Sequence, residues 1–176
     1  MINAGVDDAL SMLPDNMDSP EARVLLAAIG LQESRFKHRR QLVGNPPRPI
    51  GPAKSFWQGE QGGGMVSGVL NFHNARVRNM AIELCEARGV KPNTKDVWDA
   101  IEHDDVLAAG LARLLLWTDS RPLPSVGDEA GAWAYYLRVW RPGKPHPETW
   151  PALYQQAVEF VIGGPKVCGE CGQDVK

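Results

Sequence analysis

Residues 21–36 read EARVLLAAIGLQESRF, and the reading of this stretch decides the fold. Val24, Leu25, Ala28 and Leu31 recur at steps of one, three and four residues, the spacing of a buried stripe on an α-helix. Gln32, Glu33 and Ser34 follow at its far end, ahead of a region rich in Gly and Pro that cannot continue a regular helix. A carboxylate where a buried helix gives way to an irregular loop is partly withdrawn from water. Withdrawal disfavours the charged form and raises the pKa, as a general acid working at neutral pH requires. The competing reading makes Glu33 a solvated residue of a frayed last turn, since most carboxylates are solvated.

Upstream of this helix, residues 3–13 read as a short helix ended by Pro14. Asp18 or Ser19 can cap the helix that follows, with Pro20 at its first position. Downstream, residues 37–64 hold four prolines between positions 46 and 52 and a Gly run at 62–64. Long irregular segments inside a compact domain are usually functional. Within this one, Trp57 offers a flat indole face for stacking on a sugar, and the Gln58 amide can bond to a hydroxyl or an N-acetyl group. Trp57 reads equally well as a core aromatic. Glu60 is a possible second carboxylate, because a two-carboxylate glycosidase needs its pair about 5 to 9.5 Å apart. The same region carries Arg35, Lys37, Arg39, Arg40, Arg48 and Lys54 with no acid between Ser34 and Gly59. That basic loop, 35–54, suits an anionic polymer, either nucleic acid or cell-wall material. It also reads as a solvated loop balanced by acids elsewhere.

From Met65 to Arg88 one long helix is expected, with Gly89 as its stop. His73 lies within it, without acids or Cys at ligand spacing. Thr94 should cap a helix through Ile101, and Asp105 a helix over 106–117. The acids of His103-Asp104-Asp105 are expected at a helix start rather than on a metal. Asp128 and Glu129 open a helix carrying Trp133, Tyr135, Tyr136 and Trp140. At 3.6 residues per turn Trp133, Tyr136 and Trp140 share a face for the core, while Tyr135 points elsewhere. One Tyr hydroxyl should reach the cleft near Glu33; the residue pattern leaves open which. Arg141–Pro147 reads as an extended strap, and 147–161 as the last helix.

An apolar helix ending in Glu-Ser, then a Gly/aromatic/Gln run at Ser55-Phe56-Trp57-Gln58-Gly59, then Ala134-Tyr135-Tyr136-Leu137-Arg138, resembles the lysozyme-like superfamily. Within it, the chain looks like the soluble lytic transglycosylases and related phage lysozymes. The order and rough spacing of the three runs match over residues 20–145, although no Asn follows the Tyr and the loop after Glu33 is unusually rich in Pro. The resemblance implies a mainly α lysozyme-like fold with a small β hairpin or irregular loop beside the cleft. It implies cleavage of the β-1,4 bond between N-acetylmuramic acid and N-acetylglucosamine in peptidoglycan. Glu33 would be the single acid/base, protonating the leaving oxygen and then taking a proton from the attacking sugar hydroxyl. Ser34, Gln58, Tyr135 and Tyr136 would hold the sugar with Trp57 stacked beneath it; the motif favours Tyr135 as the cleft tyrosine. A lysozyme-type hydrolase pairing Glu33 with Glu60, and a non-catalytic virion or nucleic-acid-binding protein using the basic loop, are the alternatives.

A chain of 176 residues suits one domain, expected over 1–165, with a flexible Cys-containing tail over 166–176. Its hydrophobic content of 43% and charged content of 23% are those of an ordinary globular protein. A net charge of −2 argues against a surface that binds polyanions throughout. Cys168 and Cys171 form a lone CxxC, half of a four-ligand zinc site, and Cys85 reads as buried in its helix. No metal or cofactor is therefore expected. The N-terminal MINAGVDDALSML lacks a basic start and an apolar run, so no secretory signal is expected, and no stretch approaches the about 20 apolar residues of a membrane span. A protein made in the cytoplasm but acting on the wall needs a carrier, and a phage tail, or a holin in a lysis system, would serve.

Overall fold

The computed structural model describes residues 2–163. It is mainly helical, with one small two-stranded antiparallel sheet. The expected boundary at residue 165 and the Cys168/Cys171 pair lie outside the described residues.

Helix α1 (Ile2–Ser11) and a short 3-10 turn lead to α2 (Pro20–Ser34). Ser19 caps α2 by accepting from the Ala22 amide at 3.2 Å, and Pro20 occupies the first turn, where its missing N–H costs nothing. Arg23 clamps the start of α2, pairing with Asp18 and with Asp7 of α1. The burial of α2 goes beyond the single expected stripe. Every residue from Val24 to Leu31 is buried, so α2 is a central helix and not a surface one.

The second central helix is α5 (Asp105–Trp117), buried continuously from Leu107 to Leu116. Around these two pack α1, α3 (Ala75–Ala87), α6 (Glu129–Trp140) and α7 (Trp150–Ile162). Gly110 lets α3 approach closely, because a Cβ there would meet Leu84 at 2.5 Å. Asp104 caps α5 through the Leu107 amide at 2.9 Å and also pairs with Arg88. The cap is therefore one residue earlier than Asp105, which instead pairs with Arg39. Asn93 likewise takes the capping role expected of Thr94 at α4 (Thr94–Ala100).

The single long helix expected over 65–88 is two elements. Residues Gly64–Gly68 form a π-helical turn, and α3 starts only at Ala75, capped by the Asn74 side chain on the Arg76 amide. The break follows from capping chemistry: Asn71 and Asn74 bond to nearby backbone and compete with the helix ladder. Cys85 is buried as expected. His73 is exposed, against the Phe72 ring.

Between α2 and the π turn lies the hairpin, β1 (Arg40–Val43) and β2 (Arg48–Lys54). Val43 pairs with Arg48 and Leu42 with Pro49, but Arg40 pairs with Lys54, so β2 bulges. Pro49 and Pro52 lack the N–H groups that a regular ladder would use there. The hairpin is fastened to α4. Trp98 donates its indole N–H to the Pro52 carbonyl at 2.7 Å, and buried Lys54 meets Asp99 at 2.9 Å and Glu102 at 3.2 Å.

Candidate active site

Glu33 sits in the last turn of α2, where the chain leaves the core. Arg35 and Phe36 both adopt left-handed backbone (φ 55° and 52°), which turns the chain back sharply. Gly30 makes the reversal possible, because any Cβ there would collide with the Phe36 ring now lying on it. Ser34 holds the turn together. Its hydroxyl accepts from the Phe36 amide at 3.1 Å and lies 2.8 Å from the Phe56 carbonyl oxygen, to which it donates. Ser34 thus joins the helix end to the loop after β2, and its hydroxyl is spent on backbone partners.

That loop, Ser55–Gln58, is closed by a reciprocal pair of backbone bonds between Lys54 and Gly59 at 2.9 and 2.7 Å. Ser55 and Gln58 take positive φ, so successive side chains diverge. Trp57 turns inward. It is buried, donates its indole N–H to the Leu26 carbonyl at 2.9 Å and packs edge-on against Phe36. This corrects the expectation of a sugar-stacking face: Trp57 is a core residue and does not line the cleft. Gln58 does line it, although its amide donates to the Ser55 carbonyl at 2.8 Å.

The cleft has a volume of about 1230 Å³. Glu33, Gln32, Gln58, Glu60 and the glycines 62–64 line it, as do Tyr136, Asp119, Arg138 and the strap that follows Trp140.

The tyrosine question is answered by the way α6 packs. Tyr136 stacks on Trp150 of α7, with ring centroids 5.2 Å apart and planes 15° from parallel, and Trp133 flanks both. This fixes the phenol so that its hydroxyl donates to Glu33 Oε1 at 2.7 Å. Tyr135 faces the opposite way, buried, with its hydroxyl donating to the Leu116 carbonyl at 2.6 Å. Tyr135, expected to hold the sugar, is therefore turned away from the cleft, and Tyr136 is the tyrosine whose hydroxyl meets Glu33.

Burial pushes the Glu33 carboxyl up to about 7, against the opposing effect of the Tyr136 hydrogen bond. The negative end of the α2 dipole disfavours its anion further. Three cations of the basic loop have acidic partners away from Glu33. Arg39 pairs with Asp105, Arg40 with Glu102, and Lys54 with Asp99 and Glu102. Burial and the neighbouring Glu33 also drive the Tyr136 phenol above its ordinary range, so it remains a proton donor in the bond. Asp119 differs. Burial alone would raise it, but hydrogen bonds from Arg138 and the Arg121 amide hold it below the usual carboxylate range. Glu60 is exposed at the cleft.

The arrangement is a half-buried carboxylic acid whose protonated form is favoured by burial, oriented by a phenol, on the wall of an open groove. Such a group can donate a proton to a leaving oxygen and take one back. Gln32 was missed in the sequence. It lines the cleft and grips the strap, accepting from Thr149 Oγ1 at 3.1 Å and donating to the His146 carbonyl at 3.2 Å. Nothing in its local sequence marks it, because its partners lie far along the chain. No family model, curated protein or solved structure matches this chain. No described helix is long and apolar enough to cross a membrane.

Proposed function

We propose that this chain is a glycosidase-type enzyme whose acid/base is Glu33. More particularly, we read it as a peptidoglycan lytic transglycosylase cleaving the β-1,4 bond between N-acetylmuramic acid and N-acetylglucosamine. The observation that carries the reading is the Glu33 carboxyl, raised to about 7 and hydrogen-bonded to Tyr136 on the wall of a groove large enough for a sugar chain. Glu33 protonates the oxygen of the departing sugar. Its carboxylate then accepts the proton of the sugar hydroxyl that attacks the anomeric carbon, which regenerates the acid.

A single carboxylate is favoured over a pair. Of the other acids lining the cleft, Asp119 is bound by Arg138 and Glu60 is exposed, so neither has the half-buried setting of Glu33 without a cationic partner. The nucleic-acid reading is weakened because Arg39, Arg40 and Lys54 are already paired with acids of the fold. Delivery to the wall by a phage tail or lysis system belongs to the same proposal. Glu33→Gln should abolish the clearing of purified cell wall while leaving the far-ultraviolet circular dichroism unchanged. Full retained clearing would overturn the assignment.

A further inference from the structure

The strap between α6 and α7 carries two exposed cations, Arg141 and Lys144, and both line the cleft that holds Glu33. Most cations near the cleft have acidic partners. Arg138 pairs with Asp119, Arg39 with Asp105 at the start of α5, and Arg40 and Lys54 with acids on or next to α4. Among the described residues no acid lies within ion-pair distance of Arg141 or Lys144; Arg141 donates only to the Arg138 carbonyl, at 3.4 Å. The strap is also held in place. Pro142, Pro145 and Pro147 restrict its backbone, and Gln32, next to Glu33 in sequence, bonds to His146 and Thr149 at its far end. Two uncompensated positive charges are thus presented to the groove from a wall pinned to the helix that bears the acid.

We propose that Arg141 and Lys144 form an anion-recognising wall that selects glycan chains bearing carboxylate substituents over neutral chains with the same backbone linkage. This rests on the glycosidase reading above and extends it to specificity. Carboxylates reach such a chain from two sources, an acidic ether substituent on the sugar itself or a peptide attached to it. Long, flexible side chains at a groove rim suit either, since they track a substituent without fixing the sugar ring. Exposed pairs of this kind are individually modest and screened by salt.

The test is binding in a Glu33→Gln background, where the chain stays uncut. The ligands are peptide-bearing glycan strands, the same strands with peptides removed, and chitin oligosaccharides. Adding Arg141→Gln and Lys144→Gln should weaken binding to the carboxylate-bearing strands by on the order of 5-fold per cation at low salt. It should flatten the salt dependence and leave chitin binding unchanged. Arg141→Lys with Lys144→Arg should restore affinity. A loss that persists on peptide-free strands assigns the sugar's own carboxylate, and a loss confined to peptide-bearing strands assigns the peptide; both support the proposal. Unchanged affinity, or an equal loss on chitin, overturns it and leaves cleavage by Glu33 standing. If the wild-type protein cuts no wall and the Glu33→Gln form binds no glycan, the glycosidase reading fails first and the wall fails with it.

Discussion

The Tyr136 hydroxyl donates a hydrogen bond of 2.7 Å to Glu33 Oε1, across 103 residues of sequence. Two opposing effects meet in that bond. Burial raises the carboxyl, and the phenol lowers it by stabilising the anion. The acid is therefore set near neutrality by a balance, and each side of the balance can be removed separately.

Tyr136→Phe removes the lowering effect. The alkaline limb of the pH–rate profile for wall cleavage should move to higher pH, and kcat should fall as the carboxyl loses its orientation. Tyr135→Phe breaks only the bond to the Leu116 carbonyl, so it should cost about 1 to 2 kcal/mol of stability and leave the pH profile in place. If the two variants shift the profile alike, Tyr136 is not tuning Glu33.

Stability should report the same carboxyl without any substrate. Glu33 binds its proton more tightly folded than unfolded, so the folded state is favoured at low pH. That contribution is fully present below the ordinary carboxylate pKa and is lost as the pH rises through about 7. Glu33→Gln cannot ionise. Its unfolding free energy relative to the wild type should be higher at pH 8 than at pH 4 by roughly 2 to 3 kcal/mol. A difference constant across that range would mean that Glu33 titrates as an ordinary exposed acid.

Glu60→Gln separates the one-carboxylate mechanism from the two-carboxylate one. Under the first, cleavage continues near the wild-type rate and mass spectrometry finds anhydro-ended products. Loss of cleavage in this variant, together with reducing-end products from the wild type, would assign Glu60 as the partner of Glu33.

Trp57 should behave as core. Trp57→Ala is expected to cost about 3 to 5 kcal/mol, measured by denaturant unfolding. Trp57→Phe keeps most of the buried ring and loses the bond to Leu26, so it should lower stability without changing the KM for wall fragments. A raised KM at unchanged stability would return Trp57 to the sugar site.

Several features were legible from the chain because their causes are local. The start of α2 is written in Ser19-Pro20, its burial in the apolar run after Arg23, and the start of α6 in Asp128, which caps it through the Gly131 amide. The candidate acid follows from its place at the end of a buried helix, whereas the hairpin or irregular loop beside it was implied only by the family resemblance. Errors of one residue at Thr94 and Asp105, and the missed break at Asn74, arise because two neighbouring polar side chains can compete for the same exposed amides.

The assignments around Glu33 were of another kind. Which of two adjacent tyrosines meets the acid is set by the rotation of α6, and stacking on Trp150 fixes that rotation. Whether Trp57 faces sugar or core depends on where the Leu26 carbonyl and the Phe36 ring lie once the hairpin has docked. Whether the basic loop is left uncompensated depends on Asp99, Glu102 and Asp105, distant in sequence, being packed against it. Helix caps and apolar periodicity act between residues a few positions apart, so the sequence alone determined a mainly helical domain with one acid worth testing. Direction of a side chain, burial of a charge and its compensation are summed over residues brought together only by packing, and those the tertiary structure decided.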